Sequence, residues 1–137
     1  MDTSDDYYVK QNVLLHEYTM HNHVYNLNIV NIPEIISYSP QTKIMVMRKI
    51  PNMNISDMYG EEAYNVNCNL FNKIRSIIKI LYDNNIEYPD ITGYNFIEIG
   101  DTVWIIDFEH AKINKNIKNK FIKKFIGGIH QWNPDFK

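Results

Sequence analysis

Between Asn12 and about Leu27, the side chains Val13, Glu17, Met20, Val24 and Leu27 fall at three- and four-residue spacing. This predicts an amphipathic helix with a glutamate on or beside its buried edge. Pro33 blocks any helical continuation. Ile35–Tyr38 and Lys43–Arg48 are short apolar runs separated by Ser39-Pro-Gln-Thr42, the pattern of a hairpin, and Ile50-Pro51-Asn52 ends it. Ser56-Asp57 predicts the start of a short helical turn that breaks at Gly60. A long helix is expected from about Glu61 to Asp83, because Ala63, Val66, Leu70, Ile74, Ile77, Ile78 and Leu81 form one face and Asn84-Asn85 is a plausible stop. Asn95–Ile99 and Thr102–Asp107 then flank Gly100-Asp101, a two-residue turn of the type that closes a tight hairpin. Finally Ile113, Ile117, Phe121 and Phe125 recur every four residues with Ile122, Ile126 and Ile129 beside them, so a last helix over 112–126 is expected to dock through that stripe. There is no internal repeat.

Composition narrows the class. The chain has 137 residues, 45% hydrophobic and 22% charged, which is one domain's worth of chain and enough apolar matter for a core. Disorder and collagen-like structure are excluded on that ground. Helices and hairpins in this order read as α+β. The single cysteine, Cys68, makes neither a disulfide framework nor a thiolate zinc site, so the cytosol is the default compartment. No apolar run approaches the roughly 18 residues of a membrane span, and the acidic start Met1-Asp-Thr-Ser-Asp-Asp6 lacks the basic region of a signal peptide. Charge is uneven along the chain. Residues 1–111 hold 7 Lys+Arg against 15 Asp+Glu, net −8, whereas 112–137 hold 7 Lys against Asp135 alone, net +6. Such a basic segment is either the solvated face of a docked helix or an arm for nucleic acid or an acidic partner; the constant four-residue apolar spacing favours the docked helix.

Candidate chemistry follows from the second hairpin. With 100 and 101 at the tip, 99 faces 102, 97 faces 104 and 95 faces 106, so Asn95 and Asp107 reach the same open end. Asp90 stands on the loop Tyr88–Tyr94 that the long helix delivers to that spot. A carboxylate and an amide next to a second carboxylate form an oxygen-rich set suited to Mg²⁺, which takes hard ligands and leaves positions for phosphate oxygens. The remaining carboxylate can accept a hydroxyl proton. Strand alternation puts 95 and 107 on opposite faces of a regular ribbon, so a local bend is required to aim both at one ion.

At these residues the chain resembles the protein-kinase-like superfamily. Asp90-Ile-Thr-Gly-Tyr-Asn95 matches the D-x-x-x-x-N of the catalytic loop, and Ile105-Ile-Asp-Phe-Glu-His-Ala111 resembles the metal-binding strand end, in the I-D-F-E-x-A form of choline-kinase and aminoglycoside-phosphotransferase relatives. The resemblance runs from about Asn12 to Ala111. It implies a protein-kinase-like fold with a reduced N-lobe over about 1–50, a catalytic-loop core over 51–111, and a truncated C-lobe ending in the basic helix and tail of 112–137. It further implies ATP and Mg²⁺ as cofactors, Asp90 as catalytic base, Asn95 and Asp107 as metal ligands, and Glu17 as the helix glutamate that pairs the ATP-anchoring lysine. Lys10 is then the candidate for that lysine, seven residues before Glu17, and Met47 lies in the strand and hinge over the adenine.

The sequence also departs from the family pattern. The five glycines stand at 60, 93, 100, 127 and 128, so no glycine-rich phosphate loop is present. The chain starts too late to supply the strands that carry such a loop, Tyr88-Pro89 stands where His-Arg is usual, and no activation segment follows Ala111. Two readings of function result: a nucleotide-binding phosphotransferase acting on a protein or small-molecule hydroxyl, or an inactive pseudokinase serving as an interaction module, in either case with a protein partner as one way to complete the N-lobe. Several residues have plainer roles. Asp90, Asn95 and Asp107 can cap turns and strand ends, Glu17 can be a rim charge, His21 and His23 are expected on a solvated helix face, Cys68 as a mid-helix bystander, and Tyr7, Tyr8, Trp104 and Trp132 as packing residues.

Overall fold

Two sets of apolar side chains collapse separately, and the space between them becomes the cleft that the rest of the molecule serves. The computed structural model describes residues 6–136, so the expectation drawn from the acidic start falls mostly outside the described residues, as does Lys137. The smaller set, Val13, Met45 and Met47 with Tyr18, Ile35 and Tyr38 against them, belongs to a three-stranded antiparallel sheet. Its strands are β1 (Tyr7–Lys10), β2 (Ile35–Ser39) and β3 (Ile44–Arg48), in the order β1-β3-β2. β2 and β3 form the predicted hairpin, with a bulge between Ile35 and Ser37. Tyr38 stacks on Tyr18 at 4.6 Å and its hydroxyl donates to the Val13 carbonyl at 2.8 Å, tying the sheet to helix α1 (Leu15–Leu27).

The larger set is built on α3 (Cys68–Asp83), whose Leu70, Ile74, Ile77, Ile78 and Leu81 are buried as the periodicity predicts, with Phe71 buried beside them. Against it pack β5 (Phe96–Ile99) and β6 (Thr102–Ile105), α4 (Lys120–Gly127), and Met20 and Val24 of α1. Because α1 contributes to both cores, its middle spans the cleft. A short pair, β4 (Ile86–Glu87) with β7 (Lys112–Ile113), closes the far side. The architecture is α+β. Among the described residues no helix is long and apolar enough to cross a membrane.

Asparagine sets the helix boundaries and explains where the sequence-based limits were displaced. The long helix starts at Cys68 instead of Glu61, because Asn67 takes the N-cap position and its side chain accepts from the Leu70 amide at 2.8 Å. Ala63 and Val66 are still buried, but from a 3₁₀ turn, Ala63–Asn65, and the residue after it. Cys68 is therefore the exposed first residue of the helix and not a mid-helix thiol. Asn54 caps α2 (Ile55–Tyr59) and Asn119 caps α4 in the same way. α1 starts at Leu15, since Asn12 adopts a left-handed φ of 60°, and it ends on left-handed Asn28. Leu27, assigned to the buried face, is exposed.

The C-terminal helix docks, though by a different register from the one expected. It covers only Lys120–Gly127; Ile113 lies in β7 and is exposed, while Ile117, Ile122 and Phe125 are buried and Phe121 only partly so. Lys118, Lys120, Lys123 and Lys124 are all exposed. Arg75 of α3 secures the far end: its Nη1 donates to the Phe125 carbonyl in the last turn of α4 and to the Ile129 carbonyl just beyond the helix.

Candidate functional site

Side-chain alternation along β1 sends Tyr8 and Lys10 to one side of the sheet. That side is a cleft of about 500 Å³, lined also by Glu17, His21, Met47, Asn95 and Asp107. Met47 is 7% exposed and forms part of its sheet wall, while the neighbouring amides of Arg48 and Lys49 are already committed to the carbonyls of Glu34 and Asp6. Tyr8, expected to be a packing residue, is instead exposed at the mouth.

Lys10 Nζ lies 2.5 Å from Glu17 Oε2 and 3.5 Å from Asp107 Oδ1. Seven residues suffice for the first pair because α1 begins only five residues beyond Lys10 and Glu17 sits in its first turn. Burial by itself disfavours the ammonium, yet its hydrogen bond to Glu17 and the charges of Asp107 and Glu17 outweigh it, and the Lys10 pKa is raised. Burial also lifts the Glu17 carboxyl above its ordinary range; Lys10 pulls it down only in part, and Asp107 and Glu109 oppose that pull.

The second hairpin has the predicted register, Phe96 opposite Ile105 through Ile99 opposite Thr102, and the Ile106 amide donates to the Asn95 carbonyl at 3.0 Å. The required bend comes from both ends. Asn95 closes a 3₁₀ turn, Gly93–Asn95, and Asp107 turns with a left-handed φ of 65°, so each leaves the pleat and both face the cleft. Aspartate is one of the few side chains that tolerate this φ. Asn95 Nδ2 donates to the Asp90 carbonyl at 2.9 Å, which leaves the amide oxygen as the end a cation can use. Asp90 is 8% exposed and is not among the residues lining the cleft; its Oδ2 meets His110 Nδ1 at 3.2 Å. Burial raises the Asp90 pKa and the Asp107 charge adds to this, whereas His110 and Asn95 lower it.

Three neighbours of these groups carry no assignment from the sequence. Tyr88 is fully buried and donates to the Ile106 carbonyl at 2.6 Å, linking the loop before Asp90 to the strand before Asp107. Burial, followed by the charges of Asp107, Asp90 and Glu17, pushes its pKa well up, so it stays a donor. His110 occupies the variable position inside the strand-end motif, and that placement was the only available signal. Asn133 had none. His21, expected on a solvated face, is instead 1% exposed and lies 2.7 Å from the Pro33 carbonyl and edge-on to Phe108. Burial lowers its pKa from 6.5, the Pro33 bond counteracts this, and Lys10 adds to the lowering. A depressed folded-state value means that the stability His21 contributes is complete above about 6.5 and is lost as pH falls through the interval below it. Wild type is therefore expected to lose more thermal stability between about pH 7 and 5 than His21→Gln does; parallel declines in the two melting curves would remove His21 as the cause.

No family model matches the chain. Among curated proteins, the EKC/KEOPS complex subunit BUD32 of Enterocytozoon bieneusi (strain H348) is 30% identical over 116 residues, covering 77% of this chain and 57% of that protein. Among solved structures, the Cydia pomonella granulovirus kinase PK-1 superposes with a TM-score of 0.54 at 14% identity, over 82% of this chain and 46% of that one. The chain thus spans about half the length of the proteins it matches. On these likenesses the chain is a kinase-like protein with an α+β protein-kinase-like fold.

Proposed function

We propose that the cleft binds a nucleotide together with Mg²⁺ and that the chain transfers the terminal phosphoryl group to a hydroxyl. The observation that supports this most directly is the ammonium of Lys10 held between Glu17 at 2.5 Å and Asp107 at 3.5 Å. A cation fixed by a helix carboxylate, beside a strand-end carboxylate, is arranged to meet phosphate oxygens. Asp107 and the Asn95 amide oxygen are hard donors, and among the described residues no cluster of three His, Cys, Asp or Glu side chains could enclose a metal. That donor set fits Mg²⁺, which completes its shell with water and phosphate. When bound, the ion neutralises charge on the phosphates. Met47 and Tyr8 offer the wall for the base. In the transfer, the hydroxyl oxygen bonds to the terminal phosphorus, the bridging oxygen leaves with its electron pair on the diphosphate, and Asp90 takes the hydroxyl proton. Burial helps Asp90 in that role by bringing its pKa nearer to neutrality.

The second reading is an inactive interaction module. It is favoured by the glycine positions, since none lies between β1 and β3 where phosphates would need close backbone approach. The curated relative is by name a subunit of a complex. Edge strands β1 and β2 offer a partner places to extend the sheet. Titrating Mg·ATP against the melting temperature separates the readings. A ligand that binds only the folded chain adds about 2.7 kcal/mol at 100 times its Kd, on the order of 10 °C for a chain of this size. An unchanged melting temperature at millimolar Mg·ATP leaves the interaction module.

A further inference from the structure

The segment after α4 carries no role in what precedes, yet it closes on the loop that holds Asp90. Gly128, with φ 123°, ends the helix, and His130 then stacks on Phe71 at 3.9 Å. Trp132, 4% exposed, packs 4.9 Å from Phe71. The loop fits against it so closely that a Cβ at Gly93 would stand 3.1 Å from Trp132 and 2.3 Å from Ser56 Oγ. Asn133, 2% exposed, follows. Its Nδ2 donates to the Pro89 carbonyl at 2.8 Å, and its backbone amide donates to the Ile91 carbonyl at 2.9 Å. Its own Oδ1 accepts from the Asp135 amide at 3.1 Å, which turns the chain so that Phe136 meets the His110 ring at 5.0 Å.

We propose that residues 129–136 are a clamp that sets the position of Asp90, with Asn133 as a positioning residue and Phe136 acting through His110 as a second jaw. This rests on the reading of Asp90 as the proton acceptor. Peptide groups are planar, so hydrogen bonds on the Pro89 carbonyl and on the Asp90 carbonyl fix the two peptide planes that flank the Asp90 Cα. Asn133 holds the first from forty-four positions away, and Asn95 holds the second at 2.9 Å. The Asn133 amide ties the next plane through the Ile91 carbonyl, so the direction of the Asp90 Cα–Cβ bond is set in part by a residue far along the chain. The side-chain rotation is set by His110, whose exposed ring Phe136 braces from the other side of that contact. A group that must meet a substrate proton loses rate steeply when displaced by even about 1 Å, so such a clamp matters to turnover and not to nucleotide affinity.

The test uses the full chain carrying Asn133→Asp or Phe136→Ala, with Asp90→Asn as the reference for a lost contact. Asn133→Asp keeps the shape but turns a carboxylate oxygen toward the Pro89 carbonyl. The ¹⁵N shift of His110 Nδ1 reports its contact with Asp90. Both variants are expected to move that signal toward the Asp90→Asn value, to keep the Mg·ATP dissociation constant within about twofold, and to lower the turnover of ATP about tenfold or more. A His110 signal that stays at the wild-type value overturns the clamp, as does a loss of rate that resides wholly in nucleotide affinity. Should Asn133→Asp not fold, Phe136→Ala carries the test, since that ring is only partly buried. If the wild type neither binds nor turns over Mg·ATP, the nucleotide reading fails, while the His110 signal still decides whether the segment holds Asp90.

Discussion

Replacing Phe125 by alanine is expected to destabilise the protein by about 3–5 kcal/mol, the cost of removing a fully buried aromatic ring from a core that cannot close over the cavity. Phe125 is 0% exposed, its ring lies 5.3 Å from Phe71, and the Arg75 guanidinium lies over both rings at 5.1 and 5.4 Å. The substitution therefore removes an apolar filler and one face of a cation–π sandwich together. Phe121→Ala, at the partly buried position one turn earlier, is expected to cost only about 1–2 kcal/mol, since that ring is not fully enclosed. Neutralising Lys118, Lys120, Lys123 and Lys124 is expected to cost no more than about 1 kcal/mol each, because exposed charges contribute little. Urea unfolding of the three sets checks the order. If Phe125→Ala and Phe121→Ala cost the same small amount, α4 is not docked as described. A basic arm for nucleic acid predicts the reverse weighting, with the lysine changes abolishing a salt-sensitive retention that Phe125→Ala leaves intact.

Lys10→Ala is expected to abolish the Mg·ATP-dependent rise in melting temperature and to weaken the fold even without nucleotide. The two effects have separate causes. The first is loss of the cation that the proposal assigns to the phosphates. The second is that Glu17, 5% exposed, is left without the ammonium that lies 2.5 Å away. A buried charge deprived of its partner costs about 3–5 kcal/mol when fully enclosed. Here about 1–3 kcal/mol is expected, because Lys10 is half-buried and Glu17, its pKa already raised, can take a proton instead. Glu17→Gln separates the two: it keeps a hydrogen-bond acceptor for Lys10 and should restore most of the stability while leaving nucleotide binding weakened. Asp107→Ala should leave the fold intact, because its side chain is at a strand end and 30% exposed, yet remove the magnesium dependence of the shift. Calorimetry of each variant with ATP, with and without Mg²⁺, gives the readout. Lys10→Ala binding Mg·ATP as tightly as wild type would sink the assignment of Lys10.

Much of this fold is written in local pattern. The apolar stripe of α3, the two-residue turn Gly100-Asp101 and the short apolar runs of β2 and β3 each reflect contacts between residues near in sequence. The pairing of Asp90 with Asn95 across five residues and of the hairpin ends belongs to the same class, as does the Lys10–Glu17 pair across seven. Element boundaries were less legible, because a capping asparagine competes with an apolar period that runs past it. Asn67 ends the reach of the Ala63–Leu81 stripe, and Asn119 that of Ile113–Phe125.

What the sequence determined by itself was therefore α1, the β2–β3 and β5–β6 hairpins, the buried stripe of α3, the register of the second hairpin and the likeness carried by Asp90, Asn95 and Asp107. What only the tertiary structure decided was which side chains share one environment: His21 under Pro33, Tyr88 on Ile106, His110 on Asp90 and Asn133 on Pro89. These contacts join residues up to forty-four positions apart with no period between them. They exist because the two cores and the docked α4 bring three chain segments to one place, and burial there obliges each polar group to find a partner that no local pattern specifies.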